Sequence, residues 1–557
     1  MTAQVSPVTI LDASGNPLRP QKSSMLSGGS GSPYDAADIY SQHMANWRPT
    51  LWSPDGELNM YRDRIVSRVR DLVRNDGWAS AAITRTLDNV IGADFRPISK
   101  PDHYALKHMT GIKAFDHVWA DEFGQALEAH WRTWANDPNR FCDAQRSLTV
   151  AQMMRLAFRH KIVDGDALAM LHWMPERVQS GGARYATTLQ LIDPDRLSNP
   201  QLTFDQQTMR GGVEVDAFGA ATHYWIRKAH QGEWFNAEKA LTWDKIPRET
   251  SWGRPIIVHD FEHDRAGQHR GGAGILTPVV QRLKMLIKYE GTELDAAIIN
   301  AIFGAYIESP YDAQLVEQAM GGGEEIGAYQ TQRADFHNER RLSIGESRMP
   351  ILFPGEKITT VTAARPNSNF AEFESAMLRN VASGTGMSAQ QISQNWADVN
   401  YSSYRAAMLE AWKTFDRRRS DFASGFGQPI FSAFVEECME VDDLPLPAGA
   451  PEYIAYRHAY SKAKWMGPGR GYVDVVKERE GAQMGLEAGL STLEDECAEL
   501  SGSDWREVAD TRALEIARYK KLGLPLPEWA NANPKNSHGH EVGGGNHHPE
   551  SPNYQSS

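Results

Sequence analysis

Cysteine is scarce in this chain of 557 residues. Only Cys142, Cys438 and Cys497 are present, and no two of them form a CxxC pair. An odd number of widely spaced cysteines argues against a disulfide framework and against a zinc knuckle. The cysteine content therefore predicts a protein made in a reducing cytoplasm.

Long apolar runs are also missing. The longest, "AAIINAIFGAYI" at 296–307, is much shorter than the roughly 20 residues that span a bilayer. The opening "MTAQVSPVTILDASGNPLRP" has no basic stretch followed by an apolar one, so we expect no secretion signal. The sequence predicts a soluble protein without a membrane partner.

The motifs that hold nucleotides or build common hydrolase sites are absent. There is no GxxxxGK[ST] phosphate loop, no HExxH and no GxSxG. "GPGRGY" at 467–472 lacks the Lys-Ser/Thr that would follow a phosphate loop, so it reads as a turn. "GGGEEIG" at 321–327 places acidic residues where a dinucleotide phosphate docks. We therefore expect no cofactor and no enzymatic activity.

Basic residues are fewer than acidic ones, which gives a formal net charge of −13. This balance argues against a broad basic face that grips nucleic acid. One local exception is the helical pattern at 63–92, where arginines recur at helical intervals: Arg64, Arg68, Arg70 and Arg74. They form either a solvated helix face or a contact with a neighbouring subunit or nucleic acid.

Histidine is concentrated in two places. "HDFEHDRAGQHR" at 259–270 could bind a metal, but its spacing fits neither one helix face nor a known zinc pattern. A hydrogen-bonded turn is the favoured interpretation. The histidines of the low-complexity tail could bind adventitious metal or be functionally quiet: His538, His540, His547 and His548. We expect no metal site.

The composition that is present is that of a packed globular protein. Hydrophobic residues make up 41% and aromatic residues 10%, and 557 residues predict three or more structural units. A Ser/Gly/Pro-rich leader precedes residue 33, and a Pro-rich boundary lies at 443–451. Alternating runs predict a β-hairpin in "GGVEVDAFGAATHYWIRK" and a buried strand in "RPIIVHDFE".

Three helices stand out after residue 275. The first, 276–307, has Thr277 as predicted N-cap, Pro278 at its first position and a length of roughly 40 Å. Its apolar stripe runs through Val280, Leu283, Leu286, Ile287, Leu294, Ile298 and Ile302. The second opens at Asn369 with Glu372 as a capping box and stops at "SGTGMS". The third runs from 403 to about 425, with Ser402 or Ser403 as its cap. Its core stripe comprises Tyr404, Met408, Ala411, Trp412, Phe415 and Phe422.

The ordered set of segments resembles the lambda-type family of portal proteins of tailed bacteriophages, over most of residues 33–525. No segment is specific alone, but their order is. The segments that carry the resemblance are "SPYDAA" with "NWRP", "RVRDLVRNDGWASAAITRTLDNVIG", "LIDPDRLSNP", "GVEVDAFGAATHYWI", "VHDFEHDRAGQHRGGAGILTPVVQRL", "LFPGEKI", "RPNSNFAEFESAMLRNVASGTGMSAQQIS", "NYSSYRAAMLEAWKTF" and "GYVDVVKEREGAQMGLEAGLSTLEDECAELSGSDWREV".

The resemblance implies an α+β, mainly helical fold that assembles as a dodecameric ring at one capsid vertex. Double-stranded DNA would pass through this ring, independently of sequence, during packaging and ejection. The implied partners are the large terminase subunit, the major capsid or scaffold protein, and the head-completion and tail proteins. The protein would assemble in the host cytoplasm and remain in the virion.

The same resemblance implies a division of the chain, here in sequence order. It comprises a flexible leader (1–32), a wing of mixed helix and strand (33–275), the first stem helix (276–305), a clip (306–362), the second stem helix (363–390), a tunnel loop (391–403), a tunnel-supporting helix with wing return (404–449), a helical crown (450–530) and a disordered tail (531–557).

Two sets of candidate site residues follow from this division. The polar, almost uncharged loop would present to the DNA tunnel Gln394, Asn395, Trp396, Asn400 and Tyr401. Trp396 could instead be buried against the helix and only order the loop. The clip would meet terminase or an adaptor through Arg333, Arg340 and Arg341.

Two other functions remain open at this stage. A capsid-associated helical adaptor would bind partners without forming a DNA channel. A capsid maturation enzyme would need a nucleophile–base pair or clustered carboxylates, and the sequence offers none with convincing spacing.

Overall fold

In the computed structural model, most of the chain forms regular secondary structure. The described residues are 46–179, 181–272, 274–302, 370–396, 400–472 and 474–530, with the short pieces 35–37, 44, 306–308, 331–332, 334–336, 341–344, 347–350 and 357–359. The leader predicted for 1–32 and the tail predicted for 531–557 lie outside them. Far more of the described residues lie in helices than in strands, so the α+β, mainly helical fold is confirmed.

Many of the helices begin at the polar capping residues that start helices in proteins generally. Asp116 accepts a hydrogen bond from the backbone N–H of Trp119, and Thr149 forms a reciprocal capping box with Gln152. In chain order the helices are α1 (Pro54–Leu58), α2 (Arg62–Asn75), α3 (Gly77–Val90), α4 (His103–Thr110), α5 (His117–Ala135), α6 (Val150–Asp164), α7 (Pro175–Gln179), α8 (Ala237–Ala240), α9 (Val280–Ile302), α10 (Phe370–Thr385), α11 (Ala389–Ser393), α12 (Tyr401–Phe422), α13 (Gln428–Val441), α14 (Tyr453–Tyr460), α15 (Val475–Glu487), α16 (Leu493–Ser501) and α17 (Trp505–Leu522).

The strands form small antiparallel sheets. They are β1 (Arg96–Ser99), β2 (Asp166–Trp173), β3 (Thr187–Leu191), β4 (Met209–Arg210), β5 (Val213–Val215), β6 (Ala221–Arg227), β7 (Trp243–Pro247), β8 (Ile257–Phe261), β9 (Tyr306–Glu308), β10 (Arg341–Ile344), β11 (Ser347–Pro350), β12 (Lys357–Thr359) and β13 (Ala463–Met466). The spatial orders are β3-β2-β8, β4-β5-β6-β7, β1-β13, β10-β11 and β9-β12. The predicted hairpin is β5–β6 and the predicted strand is β8, so both are confirmed.

The main hydrophobic core lies between the first helices and α12–α13. Its centre is aromatic: Phe434 stacks on Trp134 with ring centroids 4.9 Å apart and meets Trp131 edge-on at 5.2 Å. Rings of this size contribute the largest apolar areas that a core can bury. The core thus joins residues more than three hundred positions apart in the sequence.

The helical pattern at 63–92 is two helices, not one. Asp76 interrupts it with an extended backbone, and its carboxylate accepts hydrogen bonds from the N–H groups of Trp78 and Ala79. An aspartate in this position satisfies the first free donors of a new helix. Gly92 follows α3 with a positive φ of 65°, the left-handed conformation in which a glycine commonly ends a helix.

The predicted cap of the first long helix is wrong. Thr277 lies inside a short 3₁₀ turn, Thr277–Val279, and its buried hydroxyl finds no hydrogen-bond partner. The helix α9 begins after it, at Val280. The stripe is buried at Leu283 and Leu286, but Leu294 is 62% exposed. Intramolecular packing therefore covers the apolar stripe in the first part of this helix and, further along, buries Glu293 but not Leu294.

The third long helix is longer than predicted because it does not end near residue 425. A π-helical turn, Ala423–Gly427, joins α12 directly to α13. At Gly425 a Cβ would lie 2.3 Å from an Asp260 carboxylate oxygen, so any side chain here would have to displace Asp260. The predicted core stripe of α12 is confirmed at Ala411, Phe415 and Phe422, which are all buried.

No helix among the described residues is both long enough and apolar enough to cross a membrane.

Candidate functional site

The polar loop is shorter than the predicted 391–403. Residues up to Ser393 belong to α11, and α12 starts at Tyr401, so the segment between the two helices is 394–400. Its residues 397–399 lie outside the described part of the chain. The loop is held between two helix ends, and its described members are exposed.

Gln394 forms the C-terminal cap of α11. Its backbone adopts the left-handed conformation with φ of 56°, and its side-chain amide donates to the carbonyl of Gln391 at 2.7 Å. A side chain committed to its own backbone is less available to a ligand. The main role of Gln394 is therefore to fix the shape of the loop, although the residue remains exposed.

Two alternatives were considered for Trp396, that it faces the tunnel or that it is buried and only orders the loop, and its position agrees in part with each. Its ring meets that of Tyr404, on the first turn of α12, edge-on with centroids 4.9 Å apart. The side chain is nevertheless 38% exposed, so it is not buried against the helix. The contact orders the loop and leaves one side of an aromatic ring at the surface, beside the exposed Asn395.

Asn400, not Ser402 or Ser403, caps α12. The Asn400 Oδ1 accepts a hydrogen bond from the backbone N–H of Ser403 at 2.8 Å. Asparagine is among the strongest N-caps because its amide oxygen reaches this donor without strain. The predicted serine cap is thus wrong. The structure describes the backbone of Tyr401 in the first turn, but not its side chain.

The base of the loop is anchored in the core. Ser388 and Gln391 form a capping box at the start of α11, and Gln391 also donates to the Met408 sulfur on α12. Met387 receives a hydrogen bond from Thr86 on α3. These contacts fix both ends of an exposed polar segment to buried structure.

The long helices α9 and α10 pack against each other, and α10 also contacts α11, which precedes the loop. Tyr289 on α9 stacks on Phe370 and meets Phe373 edge-on, with centroids 5.6 and 4.8 Å apart. Glu290 accepts from the indole N–H of Trp78, which ties α9 to α3. Burial, together with the charge of Glu290, raises the pKa of Glu374. Residue 369 lies outside the described residues, so the capping box predicted there stays a prediction.

Most of the predicted clip lies outside the described residues. Arg333 and Arg340 belong to the undescribed part, and only the backbone of Arg341 can be placed. It begins the hairpin β10–β11, where Arg341 pairs with Pro350. The predicted clip contains a second pair of strands, β9 and β12.

The predicted turn at 259–270 is confirmed as a hydrogen-bonded structure. His269 donates its backbone N–H to one carboxylate oxygen of Asp55, and its ring lies 2.7 Å from the other. Gln268 closes the turn through the N–H of Asp264. Among the described residues no cluster of three or more His, Cys, Asp or Glu side chains is arranged to hold a metal ion.

Sequence reasoning missed a buried ionic cluster centred on Asp166. Arg62 and Arg270 donate to one oxygen of this carboxylate at 2.8 to 3.0 Å, and the His259 ring lies 3.0 Å from the other. Burial alone would raise the pKa of Asp166, but the two guanidinium groups and His259 together hold it well below its usual range. The partners are about a hundred residues apart, so no local motif announces them.

The four arginines singled out in the helical pattern at 63–92 differ in their exposure and partners. Arg64, Arg68 and Arg74 are exposed, as a solvated or contacting face requires. Arg70 instead reaches the acidic side of the cluster, with ion pairs to Asp164 at 2.7 Å and to Asp195 at 2.6 Å.

The C-terminal helices α15–α17 join the rest of the chain through ion pairs. Arg506 binds Glu128 on α5 at 2.8 Å, and Arg96 on β1 grips Glu507 with two hydrogen bonds of 2.9 and 2.6 Å. Within the described residues 474–530, Leu500 is the one buried apolar side chain. This attachment depends on charge far more than on apolar burial.

The chain belongs to the lambda family of phage portal proteins, whose family model matches residues 40–419. The portal protein of Escherichia phage N15 is 31% identical over 500 residues, 88% of this chain and 91% of that protein. Portal protein B of Escherichia phage lambda has the same identity and the same coverage. A chain of the native gene transfer agent virion superposes with a TM-score of 0.36 at 13% identity, covering 80% of this chain and 100% of that one.

Proposed function

We propose that this phage portal protein works as a ring of identical subunits at one capsid vertex, twelve in the assembled state. Double-stranded DNA would enter and leave the head through the centre of the ring. The protein would perform this task without enzymatic activity, as a passive conduit whose energy comes from a separate packaging motor. It would assemble in the host cytoplasm and stay in the virion.

The observation that carries this proposal is the uneven burial of α9. Its apolar stripe is covered by the chain's own residues at Leu283 and Leu286, then continues to Leu294 and Ile298, which are 62% and 47% exposed. A long helix with an apolar stripe needs a partner along its whole length. Copies of the same helix arranged around a ring supply that partner through heterologous contacts that close on themselves.

We assign the DNA-facing role to the loop 394–400 and its neighbours. Its described residues carry amides and one aromatic ring instead of lysine and arginine. Dense positive charge would release counterions from DNA and hold it by several kcal/mol. A nearly neutral loop makes short, renewable contacts with passing DNA, and its anchored base keeps it from being dragged along.

We infer the remaining parts by their position along the chain. Residues 33–275 would form the wing, α9 and α10 the stem, 306–362 the clip and 450–530 the crown. The clip, including Arg333, Arg340 and Arg341, would meet the large terminase subunit and later the head-completion proteins. The wing would face the major capsid or scaffold protein.

Negative-stain imaging of the purified full-length protein tests the ring. The proposal predicts end-on views of rings with a central hole wide enough for duplex DNA. Monomers or dimers under every assembly condition would instead support a helical adaptor without a channel.

A second experiment tests the loop within assembled rings. The Asn395→Ala variant leaves the cap at Asn400 and the Trp396–Tyr404 contact in place. It should form normal rings but package less DNA, or retain it less well. A normal packaged genome length would remove Asn395 from the tunnel assignment. Charge reversal at Arg340 and Arg341 tests the clip in the same way, with terminase binding as the readout.

A further inference from the structure

The helices α15 and α17 contain no buried residues, although they are 13 and 18 residues long. Isolated helices of this length are marginal in water, and most helices in proteins are stabilised by packing of one face. The ion pairs near Arg506 hold only the beginning of α17. The outer faces of both helices therefore lack the packing that would account for their stability.

The outer face of α15 combines apolar and acidic side chains. Val476, Glu480, Met484 and Glu487 follow one another at helical spacing and lie on one side. Val476 is 64% and Met484 is 65% exposed. Within the described residues Glu480 takes part in no ion pair. This face offers two apolar contacts flanked by negative charge.

The C-terminal half of the outer face of α17 has the opposite charge, whereas one turn before Leu514 the same face carries Asp510. Leu514, Arg518 and Lys521 recur at the i, i+4 and i+7 positions, and Leu514 is 72% exposed. Arg518 and Lys521 form no ion pair in the described part of the chain. The α17 face therefore offers an apolar centre with positive charge beside it, complementary to the α15 face.

We propose that the outer face of α17 docks on the outer face of α15 in a second copy of this chain. Arg518 and Lys521 would pair with Glu480 and Glu487, and Leu514 would cover Met484. Because two different faces meet, the contact is heterologous and repeats from copy to copy until a ring closes. The inference rests on the proposed ring and adds which surface closes it. The occupant is a second copy because the two complementary faces belong to one sequence.

Reciprocal charge reversal in the full-length protein tests this contact. One variant carries Glu480→Lys and Glu487→Lys, a second carries Arg518→Glu and Lys521→Glu, and a third combines all four changes. Ring formation is measured by sedimentation velocity and native mass spectrometry near 0.1 M salt, where surface charges are only partly screened. Lys520→Glu is the matched control, because Lys520 lies on another side of α17.

We expect each double variant to lower the fraction of subunits in rings about tenfold, since like charges brought together oppose association. The combined variant should restore it, and the Lys520→Glu control should match the unmodified protein. Circular dichroism of all variants should be nearly unchanged, because the altered side chains are exposed and form no ion pair within the described residues. The one hydrogen bond lost is an exposed one, from Gln483 to Glu487.

Two results would overturn the inference. If both double variants form rings as well as the unmodified protein, the contact is wrong while the ring itself stands. If both variants lose rings but the combined variant does not regain them, the two faces do not meet each other. Failure of the unmodified protein to form rings would instead remove the proposed function, and this contact with it.

Discussion

Charged residues stabilise two regions of this protein in opposite ways. Around Asp166 they are buried, ion-paired and surrounded by strands and helices of the same chain. In the helices α15–α17 they lie at the surface, where they attach the unit to β1 and α5 and leave its outer faces uncovered. The first region is covered by its own chain, whereas the second keeps exposed faces that the proposed contact with another copy would cover.

The difference indicates which parts of the chain depend on other copies. A buried carboxylate with two guanidinium partners cannot change partners without a large cost, so it fixes the position of the strands around it. Exposed ion pairs exchange with water and salt at little cost. A rigid body with adaptable helices at its periphery suits a protein whose subunits first fold and then associate.

The largest effect should come from breaking the buried cluster. Asp166→Asn keeps the shape of the side chain but removes the one carboxylate that Arg270 pairs with. It leaves Arg62 buried with only the two longer pairs, each 4.0 Å, to Asp63 and Asp195. We expect a loss of about 3–5 kcal/mol in the stability of this region, as for other buried pairs that lose one partner. Faster amide exchange in β2 and a lower thermal midpoint would report it. The control is Asp88→Asn, an exposed residue 3.9 Å from Arg85, which should change stability by less than about 1 kcal/mol.

The same cluster predicts a pH dependence. The pKa of Asp166 is lowered in the folded protein, so its contribution to stability is complete above the unfolded pKa of about 3.9 and is lost as the pH falls further. The difference in melting temperature between the unmodified protein and Asp166→Asn should therefore narrow below about pH 4. A constant difference from pH 7 to pH 3 would contradict the role given to this charge.

A smaller effect is expected where the C-terminal helices meet the body. Arg506→Gln removes the pairs to Glu128 and Asp504, whose side chains are mostly buried. Burial, outweighing the neighbouring arginine, raises the pKa of Glu128, so its carboxylate depends on that arginine to stay charged. We expect about 1.5–3 kcal/mol less stability of docking, the usual worth of hydrogen bonds to charged groups.

Hydrogen exchange and limited proteolysis of α16 and α17 measure this docking. Amides of β2 should keep their protection, which separates undocking from general unfolding. Lys520→Gln, on the exposed side of α17, is the control and should leave both readouts unchanged. Equal loss of protection in β2 would mean that the two regions are not independent.

Much of the fold could be predicted because its signals are local. The hairpin β5–β6, the strand β8 and the stripe of α12 follow from alternation or helical spacing over a few residues. The fold class and the family followed from the order of such segments. The family comparison confirmed the prediction, although no single segment was specific.

The two misplaced helix caps have one physical cause: several neighbouring side chains could each accept a hydrogen bond from the first free N–H groups of the helix. Thr277 and Asn400 both precede a long helix, and sequence favoured Thr277 while placing the α12 cap at a serine. Only the tertiary position of each backbone decides which oxygen reaches a free N–H. The Asp166 cluster was missed for a related reason, since its members are brought together by the sheet and not by the sequence.

The smallest expected effect concerns Asn400, whose role as a helix cap must be separated from a contact with DNA. Asn400→Ala removes the cap of α12 and should cost about 1 kcal/mol, seen as faster amide exchange in its first turn. Asn400→Ser retains a capping oxygen and should keep that protection. If the side chain acts only as a cap, the serine variant packages DNA normally and the alanine variant packages less. If Asn400 also contacts DNA, both variants package less DNA although only the alanine variant frays the helix. The comparison therefore separates a residue that only supports the loop from one that contacts DNA.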